Sequence, residues 1–173
     1  MSDFFGRVTG DQDPFKKLAS YIPGFSGYIE RQNRRAADKL LRDTVARRFE
    51  ELYKRLSALQ SDLISQGGIE YVDDLEKAAL QIRMFTDKIR NATYGYSGLF
   101  DAVKINEAEL AKIYTFDAAF FDIADQLKNG MDTVEASLGA PEGLPAAIRN
   151  LVTLARQAVT TYEQRYEIFN GAK

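Results

Sequence analysis

At 173 residues, with 45% hydrophobic and 28% charged side chains, the chain holds enough apolar material for one buried core and too much for wholesale disorder. It contains no cysteine, histidine or tryptophan, which excludes disulfides, zinc fingers and thiol nucleophiles and removes the commonest general base and transition-metal ligand near neutral pH. The net charge of −2 is unevenly spread: residues 1–60 carry 12 Lys and Arg against 8 Asp and Glu, and residues 61–173 carry 11 against 17.

Halves of opposite sign favour packing on each other, or head-to-tail contact between copies. The opening MSDFFGRVTGDQDPF contains acids and no apolar run of signal-peptide length. No window reaches the roughly 18 apolar residues of a membrane span. A soluble, cytoplasmic protein is expected.

Asp13 and Pro14 form a helix start, with Asp as N-cap and Pro at the first helical position. A short helix should run to about Tyr21, where Ile22-Pro23-Gly24 breaks it. Residues 1–25 thus form an aromatic N-terminal arm, and residues 26–173 the main bundle. Six aromatics fall in the first 28 residues: Phe4, Phe5, Phe15, Tyr21, Phe25 and Tyr28. Such a segment packs on its own bundle, on a neighbouring copy or into a lipid interface.

Ser26 or Gly27 opens a helical pattern reaching about Gln66. Its second half places Val45, Phe49, Leu52, Leu56, Leu59 and Leu63 at steps of 4, 3, 4, 3, 4, a heptad seam continued less cleanly by Ile29, Ala37 and Leu41. Some 40 helical residues would span about 60 Å and need partners along their length. Gly67-Gly68 supplies the C-cap and reversal. The charges of this helix (Arg31, Arg34, Arg35, Lys39, Arg42, Arg47 and Arg48, interrupted by Glu30, Asp38 and Asp43) read as a solvated face. Asp38–Arg42 and Asp43–Arg47 would be surface ion pairs.

A second seam, Leu75, Ala78, Ile82, Phe85, Ile89 and Ala92, marks a helix from about Val72 to Ala92. A non-helical stretch near 95–105 follows. Its Gly95-Tyr96-Ser97-Gly98 repeats the pattern of Gly24-Phe25-Ser26-Gly27 and matches no phosphate loop. Asn106 with Glu109 resembles a capping arrangement. The next seam runs through Leu110, Ile113, Phe120, Ala124, Leu127, Met131, Val134 and Leu138, and one position of it is taken by Asp117. The seam stays in phase across Asn129-Gly130, so one helix with a soft spot is expected. After the Gly139–Gly143 loop, Leu144, Ile148, Leu151, Ala155, Ala158 and Tyr162 carry the last helix.

The fold expected is all-α: an elongated antiparallel bundle of about four long heptad-patterned helices, in up-down-up-down order, plus a short N-terminal helix. Asp117 is the sharpest anomaly, because a carboxylate at a seam position needs a tyrosine or arginine partner, a ligand, or a rotation of the helix that brings it to the edge. The acids Glu107, Glu109, Asp117, Asp122 and Asp125 invite comparison with carboxylate di-iron bundles, but without histidine a solvated acidic face is the better account.

Three functional readings follow. The first is a non-enzymatic structural or adaptor protein acting through a protein partner or a homo-oligomer, with no cofactor and no metal. The second is a peripheral membrane-surface protein using the arm and the basic helix 31–48, with Phe4, Phe5, Phe15, Lys16, Lys17, Phe25, Tyr28, Arg31, Arg35 and Arg42 as contact residues for a partner or a membrane. The third is a carrier or enzyme with a pocket between helices near Asp117, Tyr94, Tyr96 and Tyr114. Nucleic-acid binding is not expected, because the basic stretch is interrupted by acids.

Overall fold

The computed structural model describes residues 13–30, 34–92, 107–140 and 142–171. Among these, six helices and one short 3-10 turn are found: α1 (Pro14–Tyr21), α2 (Phe25–Glu30), α3 (Arg34–Ser65), the 3-10 turn Ile69–Tyr71, α4 (Val72–Asn91), α5 (Glu107–Ser137) and α6 (Leu144–Gly171). The protein is an all-α bundle, as its seams predict. Asn106, the 95–105 stretch with its Gly-aromatic-Ser-Gly repeat, and the side chains of Ile29 and Leu110 lie outside the described residues.

The local stops and starts follow the residue chemistry. Asp13 caps α1 by accepting from the Phe15 amide at 3.1 Å, with Pro14 in the first turn. Gly24 then turns the chain at φ +84°. At the end of α3, Gly68 donates its amide to the Leu63 carbonyl at 2.9 Å and Gly67 donates to Ile64 at 3.1 Å, with Gly67 at φ +82°. This pair of bonds is a Schellman motif, which the left-handed Gly67 makes feasible. A Cβ on Gly68 would lie 2.7 Å from the Leu63 side chain, so an alanine there would require that side chain to shift.

Helix α5 continues unbroken through Asn129-Gly130. Gly130 is buried, and a Cβ there would stand 3.2 Å from Leu151 Cδ1 on α6. The residue that looks like a soft spot is a point of close helix–helix approach.

Every described residue of the four seams except Leu138 is buried, and Leu138 packs against the core from a partly buried position. One layer brings a ring from each long helix: Phe49, Phe85, Phe120 and Tyr162, with centroids 4.2 Å (Phe49–Phe85), 5.0 Å (Phe85–Phe120) and 6.5 Å (Phe85–Tyr162) apart. Such tilted and edge-on contacts suit the ring quadrupoles.

The neighbour order departs from a simple serial bundle. Helix α3 packs on α4, α4 on α6, α6 on α5, and α5 on α3. The side-chain pairs give the directions. Phe49–Phe85 and Gln60–Glu76 set α3 and α4 antiparallel, and Asp117–Arg165 with Gly130–Leu151 does the same for α5 and α6. Arg48–Asp125 and Arg55–Asp132, in contrast, make α3 and α5 parallel neighbours. Two antiparallel hairpins therefore pack side by side with like directions adjacent.

The helices joined by residues 92–106, α4 and α5, are diagonal partners. A diagonal of about 13 Å, for neighbours 8–10 Å apart, is well within reach of a linker of that length. Charge favours this order. Arg48 and Arg55 of the positive half meet Asp125, Asp132 and Glu135 of the negative half across the α3/α5 seam, and Lys17 of α1 pairs with Asp122.

Candidate functional site

One turn beyond the aromatic layer, the core changes character. The α6 seam extends three residues past Tyr162 to Arg165, and the α5 seam steps three residues back from Phe120 to Asp117. These two charged side chains meet in the interior, Arg165 at 0% and Asp117 at 1% exposure. Arg165 Nε donates to Asp117 Oδ1 at 2.6 Å, and Nη2 donates to Oδ2 at 3.3 Å, a bidentate clamp. The same Nη2 reaches Asp38 Oδ1 on α3 at 3.4 Å, and Asp38 Oδ2 accepts from Arg42 Nε at 2.8 Å.

Three helices are thus tied at one level by two carboxylates and two guanidiniums, whose formal charges cancel. Burial pushes the Asp117 carboxyl up to about 6, opposed by the adjacent Arg165 guanidinium and reinforced by Asp38. A buried pair of this kind does not beat well-packed apolar residues in raw stability. It does penalise alternatives: sliding α6 by a heptad would place a permanently charged guanidinium against the apolar seam of α5. The chemistry here is that of a register lock.

Of these four residues the sequence marks Asp117 alone as a buried polar position. Arg165 carries a visible signal, because it continues the 4, 3, 4, 3, 4 spacing of α6 by the next step of 3. Asp38 and Arg42 correct an expectation: they are buried, at 8% and 6% exposure, and not part of a solvated face. Each follows a seam residue, Ala37 or Leu41, and the arrival of Arg165 gives Asp38 a buried partner that no i, i+4 pattern reveals. Asp43 and Arg47 form no side-chain pair; Arg47 donates instead to the Asp43 carbonyl at 3.4 Å.

The described part of the arm, from residue 13 onward, lies along α5. Leu18, Ile22 and Phe25 are fully buried, and Phe25 meets Phe15 at 5.8 Å and Tyr114 edge-on at 5.7 Å. Tyr21 stacks on Phe121 at 4.7 Å and donates to Asp125 at 3.1 Å; Arg48 covers both rings and pairs with Asp125 at 2.9 Å. Partial burial, then the carboxylates Asp125 and Asp122, push the Tyr21 phenol up.

These placements decide which contact residues stay available. Phe25 and Arg42 are withdrawn, since both are buried. Phe15 packs partly buried against the core, and Lys17 is held by Asp122. Lys16 and Tyr28 are exposed. Phe4, Phe5, Arg31 and the side chain of Arg35 lie outside the described residues, as do Tyr94 and Tyr96 of the pocket reading.

The side chain of Glu107 lies outside the described residues, and Asp117 stands apart from Asp122 and Asp125. Asp117 turns to the core, whereas Asp122 and Asp125 face α1 and α3. Among the described residues no group of three His, Cys, Asp or Glu is placed to hold a metal ion. An open cleft of about 510 Å³ lies between α4 and α6, lined by Lys88, Asn91, Tyr162, Glu163, Tyr166 and Glu167. Asp117 is not among its lining residues.

Among the described residues, four of the six large apolar or aromatic side chains that remain exposed lie on the α3/α4 hairpin, Ile64 at 50%, Ile69 at 71%, Leu80 at 53% and Met84 at 44%; the other two are Tyr28 and Tyr166. No described helix is long and apolar enough to cross a membrane. Comparison with protein families, with curated proteins and with solved structures finds no match to this chain.

Proposed function

We propose that this chain is a non-catalytic helical scaffold that works through protein contacts, made by the outer face of the α3/α4 hairpin. The observation that carries the reading is the distribution of apolar surface. The aromatic arm spends Leu18, Ile22 and Phe25 on the core, while Ile64, Ile69, Leu80 and Met84 stay in water on one hairpin. Exposed apolar side chains gathered on one supersecondary unit mark contact surface more often than scattered ones do. The interior supports the same reading, since its charged side chains are engaged with one another and hold a register.

The membrane-surface reading draws on the arm and on the basic face of α3. Much of that material is committed elsewhere: Phe25 to the core, Lys17 to Asp122, Arg42 to Asp38 and Arg48 to Asp125. Two measurements separate the readings. Affinity capture from native extract should recover a partner with the wild-type chain and lose it with Leu80→Lys/Met84→Lys, whose substitutions fall on exposed positions and leave the core intact. Flotation with anionic vesicles should leave the protein at the bottom of the gradient. Salt-sensitive flotation, with no capture that depends on Leu80 and Met84, would overturn the scaffold reading.

A further inference from the structure

Helix α4 carries two seams. The inner one fills the core. On the opposite side Asp73, Lys77, Leu80, Met84, Asp87 and Asn91 recur at steps of 4, 3, 4, 3, 4, and all six are exposed. This outer stripe has a property that solvation does not require: it reads as its own complement when reversed about Ile82. Leu80 then falls opposite Met84, Lys77 opposite Asp87, and Asp73 opposite Asn91.

We infer that the outer face of α4 pairs with α4 of a second copy of this chain, antiparallel and centred on residue 82. This deepens the scaffold reading and rests on it, since it names the partner of the same face. A two-fold interface must be self-complementary, and residue i must meet j while j meets i. The reversed stripe satisfies that condition over its central four positions, with an apolar centre of two Leu80–Met84 contacts between two Lys77–Asp87 pairs. Lys77 is more than half exposed and bonded within its own helix to Asp74, and Asp87 makes no ion pair among the described residues, so both are placed to take a partner across the axis.

The dipoles agree. The first turn of α4 holds Asp73 and Asp74, and its last turn holds Lys88 and Arg90, so antiparallel pairing sets the acidic end of each helix beside the basic end of the other. One helix against another buries little area, which places the contact in the weak, concentration-dependent class below about 1,200 Å².

The absence of cysteine makes the test clean, because every disulfide formed comes from introduced residues. Full-length Lys77→Cys and Asp87→Cys proteins are oxidised separately and as a mixture. The mixture should give the cross-linked dimer, and neither protein alone should. Across the axis the two copies of position 77 lie about 15 Å apart along the helices, beyond the ~7 Å Cα reach of a disulfide. In sedimentation, Lys77→Glu should weaken the dimer roughly tenfold through two reversed pairs, and Lys77→Glu/Asp87→Lys should restore it.

A chain that stays monomeric at millimolar concentration, or that cross-links equally well through position 77 alone, would overturn the pairing. If such a monomer still captured a partner through Leu80 and Met84, the self-pairing would fall and the scaffold reading would stand. A register-specific dimer that captures nothing further would support the pairing and confine the scaffold to contacts between copies.

Discussion

Replacing Arg165 by methionine removes a side chain that touches carboxylates on both α3 and α5. The substitution keeps a long apolar stem and leaves Asp117, at 1% exposure, facing Asp38 without the intervening guanidinium. Breaking a buried ion pair from one side costs about 3–5 kcal/mol, against a total stability of about 5–15 kcal/mol for a domain. In a chain of this length that corresponds to a fall in Tm of roughly 6–20 °C.

The companion variant Asp117→Leu should cost a similar amount, because it leaves a permanent charge buried. The double variant removes both partners. It should cost clearly less than the sum of the two, with a coupling of at least about 2 kcal/mol. Urea unfolding followed by circular dichroism at 222 nm measures all four proteins, and a chain without tryptophan needs such a backbone signal. The deficit of Arg165→Met should also depend on pH. Without the guanidinium that opposes burial, Asp117 titrates above its wild-type value, so the deficit is full at high pH and shrinks as the carboxyl is protonated. Additive single and double variants, or a deficit that ignores pH, would refute the claim that these side chains act as a pair.

In the wild-type protein, Asp117 should titrate with a midpoint of about 6, against an ordinary value of 3.8, and a carboxyl-carbon NMR titration checks this. Between those values the native chain holds more protons than the unfolded one, so this group's contribution to stability is full below the lower value and is lost as pH rises through the upper one. A midpoint below 4 would mean that Arg165 outweighs burial. Phe25→Ala should release the arm from α5, at a cost of up to about 3–5 kcal/mol for the emptied site. Limited proteolysis should then cut near residues 22–30 well before the four long helices are attacked; a proteolysis pattern like that of the wild type would mean that Leu18 and Ile22 hold the arm without it.

Read as a linear pattern, the sequence carries most of the fold. The Asp13-Pro14 start, the Gly67-Gly68 turn and the seams through Phe49, Phe85, Phe120 and Tyr162 depend on local geometry and on a 3.5-residue period, both of which are properties of the chain itself. The break at Ile22-Pro23-Gly24 belongs with them. Asp117 is visible for the same reason, as a polar interruption of an apolar period. Arg165 was equally legible and needed only one more step along α6.

The arrangement of the seams was not legible. A heptad stripe states that a helix has a partner and which face it uses; it does not name the partner, because every seam here is a similar mixture of leucine, alanine and one aromatic ring. Placing α5 beside α3, and not beside α4, turned on pairs separated in sequence by 77 residues or more, Arg48 with Asp125 and Arg55 with Asp132. The same holds for Asp38 and Arg42, which look like a surface pair until Arg165 arrives from a separation of 127 residues. Burial of a charge is a property of what surrounds it, and those surroundings exist only once the helices have chosen their neighbours.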